Sequence, residues 1–195
     1  MKSFTYILLV ALLVISCGQS ATENKLIGKW SYSSSYSENV QADSTQHIPT
    51  AYMTYLHENI DEFHADHTEQ ESGSFEIYYD LTLNEYGITN TIILEYTTDY
   101  QGTWKLDGDK LSTIGQACTF KFVKGYALRP TPTFDADYYI NLMKSYSDTA
   151  IVRPIIKARL VQSDAYIHEL NNEELVVKFE NVTNMLTLTR VKEVL

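Results

Sequence analysis

Residues 57–69 carry the densest group of ligating side chains in the sequence: His57, Glu58, Asp61, Glu62, His64, Asp66, His67 and Glu69. Imidazole nitrogens interleaved with carboxylates are the donor set that zinc or a similar ion takes. The spacing tells against such a site. Residues three apart on a strand point to opposite faces, so His64 and His67 converge only across a turn or on a helix. A solvated face with scattered histidines accounts for the same residues, so no metal is assigned. His57, His64 and His67 remain the nitrogen donors that a metal-dependent enzyme would use. A Gly-x-Ser-x-Gly elbow, a His-Glu-x-x-His pair, a phosphate loop and a dinucleotide fingerprint are all absent. Paired acids such as Glu173 and Glu174 fall in an expected turn, where solvation explains them. No catalytic residue is assigned, the protein is read as a non-enzyme, and no cofactor is expected.

The two cysteines differ in context. Cys118 lies in Ala117-Cys118-Thr119-Phe120-Lys121-Phe122, where apolar residues occupy the even positions, and is expected to be a small core residue facing inward. Cys17 follows a run from Phe4 to Ile15 that is almost wholly apolar, preceded by Lys2, and too short to serve as a membrane span. Val14-Ile15-Ser16-Cys17 resembles the signal of bacterial lipoproteins, in which a small residue precedes the cysteine that takes the lipid. That resemblance implies a signal peptide at residues 1–16, lipidation of Cys17 and a tether at 17–24. It also implies attachment to a membrane through the acyl chains, since two or three chains together hold a protein firmly. Gly18-Gln19-Ser20 contains no aspartate for inner-membrane retention and no acidic cluster for surface export. The expected location is the cell envelope, at the outer membrane facing the periplasm.

The 195 residues, less the signal, make one ordinary domain. A net charge of −10, from 25 acidic and 15 basic residues, excludes the clustered positive surface that nucleic acid requires. With Cys17 acylated, Cys118 has no partner for an intramolecular disulfide.

The elements follow from periodicity. Phe75, Ile77, Tyr79, Leu81 and Leu83 alternate in one run, and Ile92, Leu94 and Tyr96 in the next, which predicts a hairpin turning through Asn84–Asn90. Thr103–Leu106 and Lys110–Ile114 flank Asp107-Gly108-Asp109, a second hairpin. Leu175, Val177 and Phe179 pair across a turn at 181–184 with Leu186, Leu188 and Arg190. Residues 51–69 also fit a helical seam, but their threonine and tyrosine content favours strand. Residues 130–158 break the pattern. Phe134, Tyr138, Tyr139, Leu142, Met143 and Tyr146 recur at helical spacing behind Asp135, so an insertion carrying one helix is expected, with Ile151 to Ile156 packing back on the sheet.

Leu26-Ile27-Gly28-Lys29-Trp30 resembles the opening of lipocalin-like domains, and Gly102-Thr103-Trp104 followed by Gly108-Asp109-Lys110-Leu111 is similar to a hairpin of the lipocalin-like lipoproteins of Bacteroidetes. Phe63-His64-Ala65-Asp66-His67-Thr68 is similar to their aromatic-x-x-Asp-Gly-Thr turn, with His67 in place of glycine. The resemblance implies an all-β fold: an antiparallel meander closing into a barrel of about eight strands over residues 25–195. In such a fold Gly28, Trp30 and Arg190 close the barrel, and Tyr79, Tyr96 and Trp104 are candidates to line a ligand site. A barrel of that size is filled by side chains or holds one small ligand. The expected function is binding of a small hydrophobic ligand by an envelope lipoprotein. The competing readings are a structural or protein-interaction module with a filled barrel, its protein partner unknown, and the metal-dependent enzyme above.

Overall fold

The computed structural model describes residues 21–41, 49–83, 88–180 and 184–192. The signal segment, Cys17 and the turns at 84–87 and 181–183 lie outside these residues. Strand β1 (Gly28–Val40) is preceded by a short helix, α1 (Ala21–Leu26), and followed by β2 (Ala51–Phe63), β3 (Thr68–Leu83), β4 (Ile88–Asp107) and β5 (Lys110–Ala127). Helix α2 (Ala136–Ser147) then runs through a π-helical turn (Asp148–Val152) into α3 (Arg153–Arg159), and β6 (Gln162–Leu170), β7 (Glu174–Phe179) and β8 (Leu186–Arg190) complete the chain. Every strand is antiparallel to its neighbour in sequence, and β8 returns to β1, so the meander closes into an eight-stranded barrel.

Closure is confined to one end. β1 meets β8 only at Trp30 with Arg190 and Ser31 with Thr189, and β5 meets β6 only over Lys110–Ile114. Beyond these pairs β1 to β5 continue as a five-stranded curved sheet, too long for the short β6 to β8 to follow. The inserted helices fill the space this leaves. Phe134, Met143, Ile151 and Val152 pack on the inward residues Met53, Phe75, Ile77, Tyr79, Ile92 and Leu94. The opposite, closed end has its own apolar core: Leu26, Trp30, Phe63, Trp104, Leu111, Ala165, Leu175, Val177 and Leu188. Two cores on one continuous sheet leave a layer between them, and that layer is polar.

Residues 51–63 are strand, as threonine and tyrosine favoured, 64–67 turn into β3, and the residues at odd positions of β2 and β3 face inward. The β3–β4 hairpin keeps register to Leu83 opposite Ile88, so Ile88, Thr89 and Asn90 belong to β4 and the connection is shorter than the sequence suggested. Strand pairing outcompetes the turn preference of Asn90, whose amide donates to the Arg129 carbonyl at 2.9 Å. The insertion is one bent helical run. Asp135 caps it, accepting from the Tyr138 amide at 3.0 Å. Residues 151–156 do pack on the sheet, but as helix: Pro154 falls where the π-helical turn passes into α3, so the break it makes in the N–H ladder coincides with the bend of the run. Residues 21–24 belong to α1 and are not plain tether; the helix carries Leu26 into the closed end, where it is fully buried.

Candidate functional site

The layer between the two cores is built by alternation. Inward positions of β1, β2, β3 and β4 that are apolar above and below carry Tyr32, then His57, Asn59 and Asp61, then Glu69 and Glu71, then Thr98 and Tyr100. Asn59 is the hub. Its amide nitrogen, with two hydrogens to share, stands against three acceptors, Tyr32 Oη at 3.0 Å, Glu71 Oε1 and His57 Nε2 at 2.7 Å, and its carbonyl accepts from Thr98 Oγ1 at 3.2 Å. The side chain lies across Gly73, where a Cβ would stand 1.9 Å from Asn59 Oδ1 and 2.1 Å from the Glu58 carbonyl oxygen. Gly73→Ala is therefore expected to displace the hub and cost about 1–3 kcal/mol in chemical denaturation.

Arg159, the last residue of α3, enters this layer from the insertion. One guanidinium nitrogen donates to Glu71 Oε1 at 2.6 Å and another to Tyr32 Oη at 3.1 Å, and the group lies 5.6 Å from the centre of the Tyr100 ring. Its approach depends on Gly115 of β5, where a Cβ would meet the Arg159 carbonyl oxygen at 2.0 Å. Burial disfavours the guanidinium charge, but Glu71 and Tyr32 more than offset this and hold it protonated. Burial in turn holds the Tyr32 hydroxyl above its ordinary range, with Glu71 adding to the effect. His57 is pushed down to about 4 by burial and by Arg159, consistent with an unprotonated Nε2 accepting from Asn59.

Below this network Asp61 and Glu69 share a carboxyl–carboxyl hydrogen bond. Burial, then the neighbouring Glu69 and Glu71, push Asp61 well above the usual carboxylate range; burial and Glu71 do the same for Glu69. Asp61 Oδ1 and Glu69 Oε2 are fully buried, and no donor from outside the pair reaches them. Both side chains border a cavity of about 300 Å³. Tyr32, Glu71, Tyr100 and Arg159 complete its polar floor, and Leu111, Leu175, Val177, Leu186 and Leu188 form an apolar wall.

The raised carboxyls and the lowered histidine have opposite consequences for stability. A carboxyl raised in the folded state stabilises below its unfolded value, about 4, and that contribution is lost as pH rises toward the folded value. His57, lowered to about 4, withdraws stability as pH falls below about 6.5. The two slopes oppose each other below about 6.5, and only the carboxyl pair acts above it. The melting temperature is thus expected to fall from about pH 6.5 to about pH 8, and Glu69→Gln to flatten that limb, with a change on the order of 1 kcal/mol per pH unit.

The residues singled out in the sequence are distributed differently. His57 lies in the polar layer. His64 and His67 lie in the β2–β3 turn, His67 at φ 65° and 4.6 Å from the Trp104 ring centre, in the left-handed conformation that a glycine would supply. The three histidines do not converge, and among the described residues no group of three or more His, Cys, Asp or Glu is arranged to hold a metal. Tyr79 and Tyr96 pack under the inserted helix, hydrogen-bonding Ser147 Oγ at 2.8 Å and Asp148 Oδ1 at 3.1 Å. Trp104 lies in the closed-end core, its Nε1 donating to the carbonyls of His64 and Thr68. None of these three borders the cavity. Cys118 is half-buried, and burial raises its thiol.

Gly28, Trp30 and Arg190 meet at the β1–β8 seam. Gly28 has φ 127°, Trp30 is fully buried, and the Arg190 guanidinium lies 4.1 Å from the ring centre. Arg190 also donates to the Ile27 carbonyl at 3.0 Å and to that of Lys25.

Asp61, Glu69, Glu71 and Arg159 were not visible as a set, because they come from three elements. The signal present in the sequence was acid at alternating, otherwise apolar inward positions of β2 and β3. No family model and no curated protein matches this chain.

Proposed function

We propose that this chain is a lipid-anchored, non-enzymatic envelope protein, of lipocalin-like type, whose barrel holds a small and largely apolar ligand. The observation that carries this reading is the cavity of about 300 Å³ between the polar layer and the closed-end core, a size at the lower end of small-molecule sites. Its lining is of the usual kind, an apolar wall with a few convergent polar groups that orient what enters. The anchor rests on Val14-Ile15-Ser16-Cys17 and the apolar run before it. Lipidation would hold the barrel at the outer membrane, facing the periplasm, within reach of molecules crossing that space.

The test joins the two parts. Radiolabelled palmitate is expected to enter the wild-type protein and not Cys17→Ser. Protein extracted from native membranes is expected to release a stoichiometric small molecule on denaturation, seen by mass spectrometry. An unlabelled wild type defeats the anchor. Recovery of an empty barrel that also fails to take up an apolar fluorescent probe defeats the ligand reading.

A further inference from the structure

Charge on the cavity floor is closed within the protein. Glu71 is matched by Arg159 at 2.6 Å, and the same guanidinium donates to Tyr32 at 3.1 Å. Asp61 and Glu69 are bonded to each other, and Asp61 Oδ1 and Glu69 Oε2 are fully buried, out of reach of a guest. A charged ligand head would enter this space without a counter-charge, and a desolvated charge without a partner is costly. The polar groups that remain open are hydroxyls. Thr113 of β5 and Ser163 of β6 stand opposite each other in the ladder, both half-buried and both bordering the cavity. Tyr100 borders it beside them, its hydroxyl bonded to Thr113. Among the described residues no hydrogen bond engages the Ser163 hydroxyl, and its oxygen is not one of the unpaired atoms sealed inside the protein, so it stays open to contact.

We infer that Thr113 and Ser163, with Tyr100 beside them, form the head-group site of the cavity, and that its ligand is an uncharged molecule with one oxygen head, an alcohol or a carbonyl, on a short apolar body. This deepens the ligand-binding reading above and rests on it. Serine and threonine hydroxyls each donate and accept, so they pair with either head and bring no charge that the ligand would have to balance. Thr113 is two residues from Gly115, against which Arg159 packs, so the head lies at the end of α3. Leu175, Val177, Leu186 and Leu188 of β7 and β8 take the apolar remainder. A volume of about 300 Å³ is that of about ten waters in the liquid, which limits the guest to roughly ten non-hydrogen atoms.

The probes are benzyl alcohol, benzaldehyde, benzylammonium, benzoate and toluene, which share one ring and differ in the head. Each is titrated calorimetrically into the mature protein in lipid nanodiscs, with empty nanodiscs as the blank for partitioning. The tighter of the alcohol and the aldehyde, which tells a hydroxyl head from a carbonyl, is expected to bind roughly tenfold or more tightly than either ion and roughly fivefold more tightly than toluene. Thr113→Val and Ser163→Ala are each expected to lose most of the advantage over toluene while toluene binding persists, which also shows that the variants fold. An ion that binds as tightly as the alcohol and the aldehyde, or an advantage over toluene that survives in both variants, overturns the inference and leaves the cavity reading intact. Failure of all five probes to bind the wild type overturns both.

Discussion

Arg159→Met is expected to destabilise the protein by about 3–5 kcal/mol in chemical denaturation, the cost of leaving one member of a buried ion pair without the other. Methionine keeps most of the stem's packing, so the loss isolates the charge. Glu71, whose side chain is only 6 % exposed, loses its 2.6 Å partner, and Tyr32 loses a donor at 3.1 Å. Arg159 also pulls Asp61 and Glu69 down toward the ordinary carboxylate range, so without it both carboxyls rise further and the loss of stability with rising pH runs on to higher pH. The double variant Glu71→Gln with Arg159→Met is expected to be less damaged than Arg159→Met alone, since it removes the orphaned charge as well. If the single and double variants melt together, the pair is not what ties the inserted helix to the barrel.

Trp30→Ala is expected to cost a similar amount, about 3–5 kcal/mol, which for a chain of this size is a fall in melting temperature of roughly 10 °C or more. The ring is fully buried among Leu26, Phe63, Leu175 and Leu188, its Nε1 donates to the Leu26 carbonyl at 2.7 Å, and Arg190 stacks on its face. Position matters as much as size. β1 and β8 are joined by two residue pairs, and Trp30 opposite Arg190 is one of them, so the cavity left by alanine opens at the seam. Trp30→Phe, which keeps an aromatic body and loses the indole donor, is expected to lose less. A Trp30→Ala variant that melts like the wild type would show that the seam is held by other contacts.

Much of the architecture was legible because a strand with one buried face writes its register into alternation. Phe75, Ile77, Tyr79 and Leu81, then Ile92, Leu94 and Tyr96, are buried on the face their spacing indicated. The switch to helical spacing after Pro132 located the insertion, and Asp135 located its start. Residues 51–69 were ambiguous to periodicity alone and were decided by composition. The limits were equally physical. Turn preference at Asn90 yielded to pairing with Leu81, and Tyr79 and Tyr96, inward on their strands and candidates to line a ligand site under the resemblance, face the inserted helix. A strand pattern says which face is inward, not what stands opposite it.

The sequence by itself determined an antiparallel meander with one helical interruption, because alternation, turn residues and a capped helical seam are local properties. It also carried the apolar run and the cysteine on which the proposed anchor rests. Only the tertiary structure decided the site. Asp61, Glu69, Glu71 and Arg159 become neighbours through strand register and through a helix that reaches β5 at Gly115. Their burial, and hence their charge, exists only once the two cores above and below exclude water, and no local pattern encodes that.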